Sequence, residues 1–270
     1  MEIKIPSDGF IRLVDHMGTD ESIIQAARIS YGSGTKSVSD DTQLIRYLMR
    51  HRHTTPFEMC EVKFHIRIPM DTWRQMVRHR TANINEYSTR YSEAIDSMNE
   101  TPVDMWRTQS TTNKQGSGVY LDENIGSTLT GEEQFFHDQA RKVYKERLDA
   151  GVAREQARKD LPLSTYTECY WKNDLHNIFH FLKLRLDKHA QLEIRQYAEA
   201  MAVIIRQLFP ISFAAFEDYV LKAITFTAPE IFALGHMIQT GDFNITNLSM
   251  SKRETIEFRE KLFKLGVIDL

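Results

Sequence analysis

The chain has 270 residues, with 34 lysines and arginines against 37 aspartates and glutamates, for a formal net charge of −3. A 41% hydrophobic content supports a substantial core and excludes a disordered chain, while the mildly acidic balance argues against a general nucleic-acid binder. "MEIKIPSDGF" has no apolar signal core, no apolar run approaches a membrane span, and Cys60 and Cys169 sit in no CxxC pair, so the sequence reads as a soluble protein of a reducing cytoplasm.

In chain order, "GFIRLVDHM" (9–17) reads as a short strand. "TDESIIQAARIS" (19–30) reads as a helix with Thr19 as N-cap and Ile23, Ile24 and Ala27 on one face, ended by Gly32 and Gly34. A second helix is expected over 41–52, with Leu44, Ile45 and Leu48 inward, and "TTPF" breaks it. Residues 61–68, "EVKFHIRI", alternate: Val62, Phe64, Ile66 and Ile68 share one face, and Glu61, Lys63, His65 and Arg67 the other. Cys60 has the parity of the apolar set and reads as a core thiol rather than a nucleophile. Pro69 opens a helix, "MDTWRQMVRHR", with Trp73, Met76 and Val77 as its stripe. The basic run 78–80 then falls on its last turn and continues into a loop.

Residues 93–131 are rich in Ser, Thr, Asn and Gly and read as a polar insertion or mobile lid. "TGEE" (130–133) has the form of a capping box, opening a helix to about 149 with Phe136, Ala140, Val143 and Tyr144 inward and Gly151 past its end. "AREQARKD" sets Arg154 and Arg158 one turn apart before Pro162. Asp174 caps a long helix predicted to run to Pro210, apolar nearly all round between 175 and 186. Two helical stretches follow beyond 225, the second with a capping box from Ser251 to Glu254. The fold class expected is α+β: helix-rich, with a small antiparallel or mixed sheet, a long central helix and no Rossmann fold. The domains expected are 1–220, carrying the insertion at about 93–131, and a helical extension at 221–270.

The segment 78–92, "RHRTANINEYSTRYS", holds three arginines and a histidine among polar residues. Cations at a helix C-terminus complement the helix dipole and need no function. With the following loop, however, Arg78, Arg80 and Arg90 offer forked donors for phosphate or a carbonyl edge. Gln75, Asn85, Glu86 and Ser88 add neutral and acidic partners, a mix suited to a nucleotide. His176 and His180 have a spacing that one metal ion can bridge, but no HExxH accompanies them, and no metal site is assigned. Ser88 lacks a nucleophile elbow and reads as a hydrogen-bonding group.

"RHRTANINEYS" fits the pattern R-H-R, seven residues, S, and the chain continues "TRYS". With "HTTPFE" (53–58), "AREQARKDLP" (153–162) and "FLKLRLDKHAQ" (181–191), it resembles the flavin-dependent thymidylate synthases over roughly 10–92 and 132–220. The resemblance implies reductive methylation of dUMP to dTMP, with methylenetetrahydrofolate as carbon donor, FAD reduced by NADPH, no cysteine nucleophile, and a homotetramer with shared active sites. It implies that Gln75, Arg78, Glu86, Tyr87, Ser88, Thr89, Arg90, Arg158 and Arg185 bind dUMP, Arg185 favouring ionisation at N3 of the pyrimidine. It further implies that Thr55, Arg78, His79, Arg80, Glu86, Asp174, His176 and His180 meet FAD, with His53 near the flavin and folate. Two alternatives stay open on the residues: a nucleotide-binding regulatory protein without redox chemistry, and a metal-dependent phosphohydrolase built on the histidine-bearing helices.

Overall fold

In the computed structural model the alternating segment Glu61–Pro69 is a central strand of a five-stranded antiparallel sheet. The structure describes residues 1–29, 41–111, 114–241 and 250–268, so Gly32 and Gly34 lie outside the described residues. The elements of the first of two compact units, Met1–Val220, are β1 (Glu2–Lys4), β2 (Phe10–Met17), α1 (Asp20–Arg28), α2 (Asp41–Arg50), α3 (Thr55–Glu58), β3 (Glu61–Pro69), α4 (Met70–Met76), β4 (Asn83–Glu86), β5 (Arg107–Gln109), β6 (Ser117–Tyr120), α5 (Glu123–Asp149), α6 (Arg154–Ala157), β7 (Tyr166–Asp174), α7 (Leu175–Arg185), α8 (Leu192–Leu208) and α9 (Pro210–Phe216). The second, Leu221–Leu270, holds α10 (Ala228–Thr240) and α11 (Lys252–Lys264). The fold class is α+β, as expected.

The sheet order is β1-β2-β3-β7-β4, with β5 and β6 forming a separate hairpin. Register sets Phe64 opposite Trp171 and Ile66 opposite Cys169. One face is therefore apolar: Val62, Phe64, Ile66, Ile68, Cys169 and Trp171 are buried, Phe64 stacks on Trp171 at 6.3 Å, and Trp171 meets Phe181 of α7 at 5.7 Å. Cys60 is fully buried; burial raises its thiol to about 11 and pushes that of Cys169 higher still. The opposite face pairs most of its charges. Arg67 Nη2 lies 2.5 Å from Asp8, His65 Nε2 lies 2.7 Å from Glu168, Arg12 bonds Glu2 at 2.6 Å, and Lys172 lies 2.5 Å from Glu61.

Buried Asp20 ties α1 to α9. Its carboxylate accepts from Ile211 N at 2.8 Å, Ser212 N at 3.0 Å and Ser212 Oγ at 2.6 Å, satisfying donors at the start of α9. The second unit has a core of its own in Ala233, Met237, Phe258 and Leu262, an ion pair between Glu230 and Lys261 at 2.7 Å, and the expected Ser251–Glu254 capping box.

Several expectations need correction. The basic run does not lie on a helix: α4 ends at Met76 and residues 83–86 are an edge strand on β7 rather than a loop. Helix α5 starts at Glu123, capped by Asp122, not at 130. Thr130 lies inside it, its hydroxyl accepting from Trp106 Nε1 at 2.9 Å and donating to the Thr101 carbonyl at 2.8 Å. Tyr144 and His137 face inward, while Phe136 and Val143 are exposed. The long helix of 175–209 is two helices broken at 186–191, where the Asp187 carboxylate accepts from His189 N at 2.8 Å and starts a turn. Residues Tyr166–Asp174 form strand β7, an element that the sequence pattern does not predict.

Candidate active site

Three stretches carry the predicted residues. The first is the end of α4. Gln75 sits on its last turn; the chain then tightens, with Arg78 N donating to the Gln75 carbonyl at 3.3 Å and His79 N to Met76 at 3.0 Å. This turn aims His79 inward, where it is 8% exposed, and leaves Arg78 and Arg80 exposed. The His79 ring packs edge-on against Phe181 at 4.9 Å and His180 at 5.9 Å. Arg185, the last residue of α7, donates from Nε to His79 Nε2 at 3.2 Å and points Nη2 at the Gln75 carbonyl, 3.5 Å away. The Gln75 amide donates to Gln191 at the end of the helix break. Burial lowers His79 from 6.5 to about 4, with Arg185 and His180 adding to the effect, so its ring is neutral at neutral pH. Burial also lowers Arg185, but a guanidinium starts far too high to lose its charge.

The second stretch is β4 and the turn after it. The Glu86 carboxylate is pinned by Trp73 Nε1 and Thr167 Oγ1, both at 2.9 Å. Tyr87 N donates to Glu168 O at 2.7 Å, and Tyr87 Oη donates to Glu93 O at 2.8 Å. The Ser88 carbonyl accepts from Tyr91 N at 3.2 Å and Ser92 N at 3.1 Å, closing a turn that buries Thr89. Arg158 Nη1 donates to Thr89 Oγ1, and Arg90 lies 3.2 Å from Glu155.

The third is the start of α7. Asp174 is its N-cap, accepting from Asn177 N at 2.9 Å and Asn177 Nδ2 at 2.8 Å. His176 and Arg185 both lie on α7, nine residues apart and therefore on opposite sides of it, since each residue turns a helix by about 100°. The break at 186–191 falls beyond both and cannot bring them together. Thr55 opens α3, and the nearby His53 ring stands 5.8 Å from Tyr47, whose ring meets that of His51 at 4.3 Å in a tilted arrangement.

The structure thus brings Gln75, His79, His180 and Arg185 into one group, and Thr89, Arg90 and Arg158 into another. Among the described residues no hydrogen bond or ion pair joins the two groups. The side chains of Arg78 and Arg80 form none with any described residue. No group of three or more His, Cys, Asp or Glu residues among those described is arranged to hold a metal ion, and no described helix is long and apolar enough to cross a membrane. Sequence reasoning did not find Gln191, Trp73, Thr167 or Glu155 as supports. Only Gln191 left a signal, as the polar end of the "LDKHAQ" stretch.

Chemically, the first group presents a cation whose protein partners are a neutral imidazole and a carbonyl, with its charge uncancelled. The exposed Arg78 and Arg80 supply donors of the kind a dinucleotide pyrophosphate takes up, with no carboxylate among the described residues bonded to them.

The family model "Thymidylate synthase complementing protein" matches residues 12–211. A flavin-dependent thymidylate synthase of Ehrlichia ruminantium is 48% identical over 261 residues, covering 97% of this chain and 88% of the relative. Those of Thermus thermophilus and Dictyostelium discoideum are each 46% identical, covering 98% and 96% of this chain and 97% and 86% of theirs. Among solved structures, PolB of Streptomyces cacaoi, a UMP/dUMP methylase bound with 5-Br dUMP, superposes with a TM-score of 0.73 at 31% identity, covering 82% of this chain and all of its own. The chain belongs to the thymidylate synthase complementing protein family, the flavin-dependent thymidylate synthases.

Proposed function

From that membership we propose that the protein catalyses the reductive methylation of dUMP to dTMP, taking the one-carbon unit from methylenetetrahydrofolate and electrons from NADPH through FAD. The observation that carries the reading is Arg185: a partly buried guanidinium held by His79 and the Gln75 carbonyl, with no carboxylate among the described residues to neutralise it.

The residues fit the group and the substrate. Arg78, Arg80, Thr55 and His180 would hold FAD, the two arginines through its phosphates, and His53 would lie beside the flavin and folate. Asp174 serves this site by fixing the start of the helix that carries His176, His180 and Arg185. When bound and reduced by NADPH, the flavin supplies the reducing equivalents that turn the transferred methylene into a methyl group. The protein's own task is to make uracil C5 nucleophilic. Electron density moves into the ring and negative charge develops on its carbonyl and N3 edge, where Arg185 offers a charge already in place and partly shielded from water. Arg158 and Arg90 would meet the phosphate of dUMP; Gln75, Glu86, Tyr87, Ser88 and Thr89 would orient the sugar and base.

Two separate arginine groups in one chain fit a pocket completed by another copy. We place the enzyme in a homotetramer with shared sites, supported by Phe135 and Phe136, 67% and 57% exposed on α5. We place it in the cytoplasm, which suits two unpaired thiols and small-molecule substrates. The test is the purified protein itself. An oxidised-flavin absorbance spectrum, with dTMP formed only when dUMP, methylenetetrahydrofolate and NADPH are all present, supports the synthase. Stoichiometric metal without flavin would instead support a phosphohydrolase, and neither metal nor flavin a regulatory protein.

A further inference from the structure

A guanidinium has five N–H donors in a rigid fork, so where its first bonds go decides where the others point. Arg185 directs Nε to His79 Nε2 and Nη2 to the Gln75 carbonyl, while Nη1 bonds no described residue. His79 cannot easily swing away. It is 8% exposed, its ring is wedged against Phe181 and His180, and its backbone N–H donates to the Met76 carbonyl. Accepting a bond at Nε2 also fixes its tautomer, with the ring proton on Nδ1.

We propose that His79 is a positioning residue for Arg185, its Nε2 lone pair holding the guanidinium so that the unused N–H groups face the pyrimidine of dUMP. The proposal rests on the reading of Arg185 as the group that stabilises the pyrimidine anion. It goes beyond the role of His79 as a flavin contact, because it makes the imidazole act through another residue. It also carries a pH condition. A proton on Nε2 would set N–H against N–H and release Arg185. The titratable groups that face the ring are Arg185 and His180 on α7, with Arg78 and Arg80 beside it in sequence; no described carboxylate bonds it. Burial first, and then the charges of Arg185 and His180, oppose a second proton on the ring and hold His79 at about 4. The bond therefore persists at neutral pH and fails as pH falls toward that value.

The experiment compares full-length His79→Gln, whose amide oxygen can accept from Arg185, with His79→Leu, which cannot, each alone and combined with Arg185→Ala. Flavin content is read by absorbance, dUMP affinity by calorimetry from pH 8 to 3.5, and turnover by dTMP formation. Expected results are retained flavin, a loss of roughly 10- to 100-fold in kcat/KM for His79→Leu, as for a hydrogen bond to a charged group, and substantial recovery in His79→Gln. In the Arg185→Ala background His79→Leu should cost nothing more, and the loss of dUMP affinity centred near pH 4 that is expected of the wild type should be absent from His79→Gln, leaving only the loss that comes from protonation of the dUMP phosphate at about pH 6. Losses that multiply in the double variant, or a loss near pH 4 unchanged in His79→Gln, overturn the proposal. The second of these decides it even if His79→Leu does not fold. Should Arg185→Ala alone bind and turn over dUMP like the wild type, the reading of Arg185 fails and takes this one with it, a result distinct from multiplying losses.

Discussion

Two regions of this molecule are rich in cations, and they treat them oppositely. On the outer face of the sheet three cations have carboxylates: Arg12 with Glu2, Arg67 with Asp8 and Glu168, Lys172 with Glu61. Around the end of α4, Arg185 has a histidine and a carbonyl, and Arg78 and Arg80 no described partner; in the turn after β4, Arg158 has a threonine hydroxyl, and Arg90 is the exception, paired with Glu155. The difference separates charge spent on the fold from charge kept for a ligand. A cation with an anionic partner is already neutralised; one held by neutral dipoles has its position fixed and its field intact.

The sharpest way to break this comparison is to remove two of the reserved arginines. Arg78→Ala and Arg158→Ala should each be nearly inactive alone. Co-expressed, they should form mixed oligomers in which some pockets receive both wild-type arginines, and part of the activity should return. Mass spectrometry establishes that mixed oligomers exist; if they do and activity stays at the single-variant level, the pocket is not shared between copies for this pair. Next in size, Arg185→Ala should fold and lose about 10²–10³ in turnover, the usual cost of one preorganised charge-stabilising donor. Near wild-type dTMP formation would move Arg185 into the structural class.

A smaller effect is expected at Ser88, whose hydroxyl is only a weak acceptor for Arg90 N at 3.4 Å. Ser88→Ala should raise KM for dUMP more than it lowers kcat, by a loss of roughly 0.5–1.5 kcal/mol for one neutral hydrogen bond. Abolished turnover with dUMP still bound would restore a nucleophilic role. The smallest effect belongs to the other region: Arg67→Met should cost about 1 kcal/mol in chemical unfolding, as partly exposed ion pairs do, and leave kcat untouched. A catalytic defect with unchanged stability there would erase the distinction between the two regions.

How much of this was legible depended on whether the local pattern was also the one that tertiary contacts selected. Strand β3 was readable because its buried positions are all aliphatic or aromatic. Its neighbour β7 alternates just as strictly, burying Thr167, Cys169, Trp171 and Asn173, but a threonine and an asparagine on the inner face hide the period from a hydropathy reading. The "TGEE" signature had the right letters in the wrong place. Helix α5 begins a full two turns earlier because Gly126 lets it lie against the chain at Val103, where a Cβ would come within 1.9 Å of the carbonyl oxygen. The break at 186–191 contains neither glycine nor proline, so nothing local announced it.

In the candidate site, the arginine-bearing segment and the capping role of Asp174 could be seen in advance. That His79 would turn inward beneath Arg185 could not. It depends on α4 stopping at Met76, and the residues that follow are compatible with helix.

The two buried thiols have a practical consequence. Cys60 and Cys169 are sealed in the core, unpaired, with their ionisation pushed well above physiological pH, which leaves almost no thiolate for an electrophile to find. The folded natural chain is therefore expected to react little with maleimide and iodoacetamide reagents, which a thiol-labelling assay read by mass spectrometry checks. A single cysteine introduced at an exposed position such as Tyr91 would be the one labelling point per chain, ready to carry a fluorophore or spin label without first stripping the protein of its own sulfur.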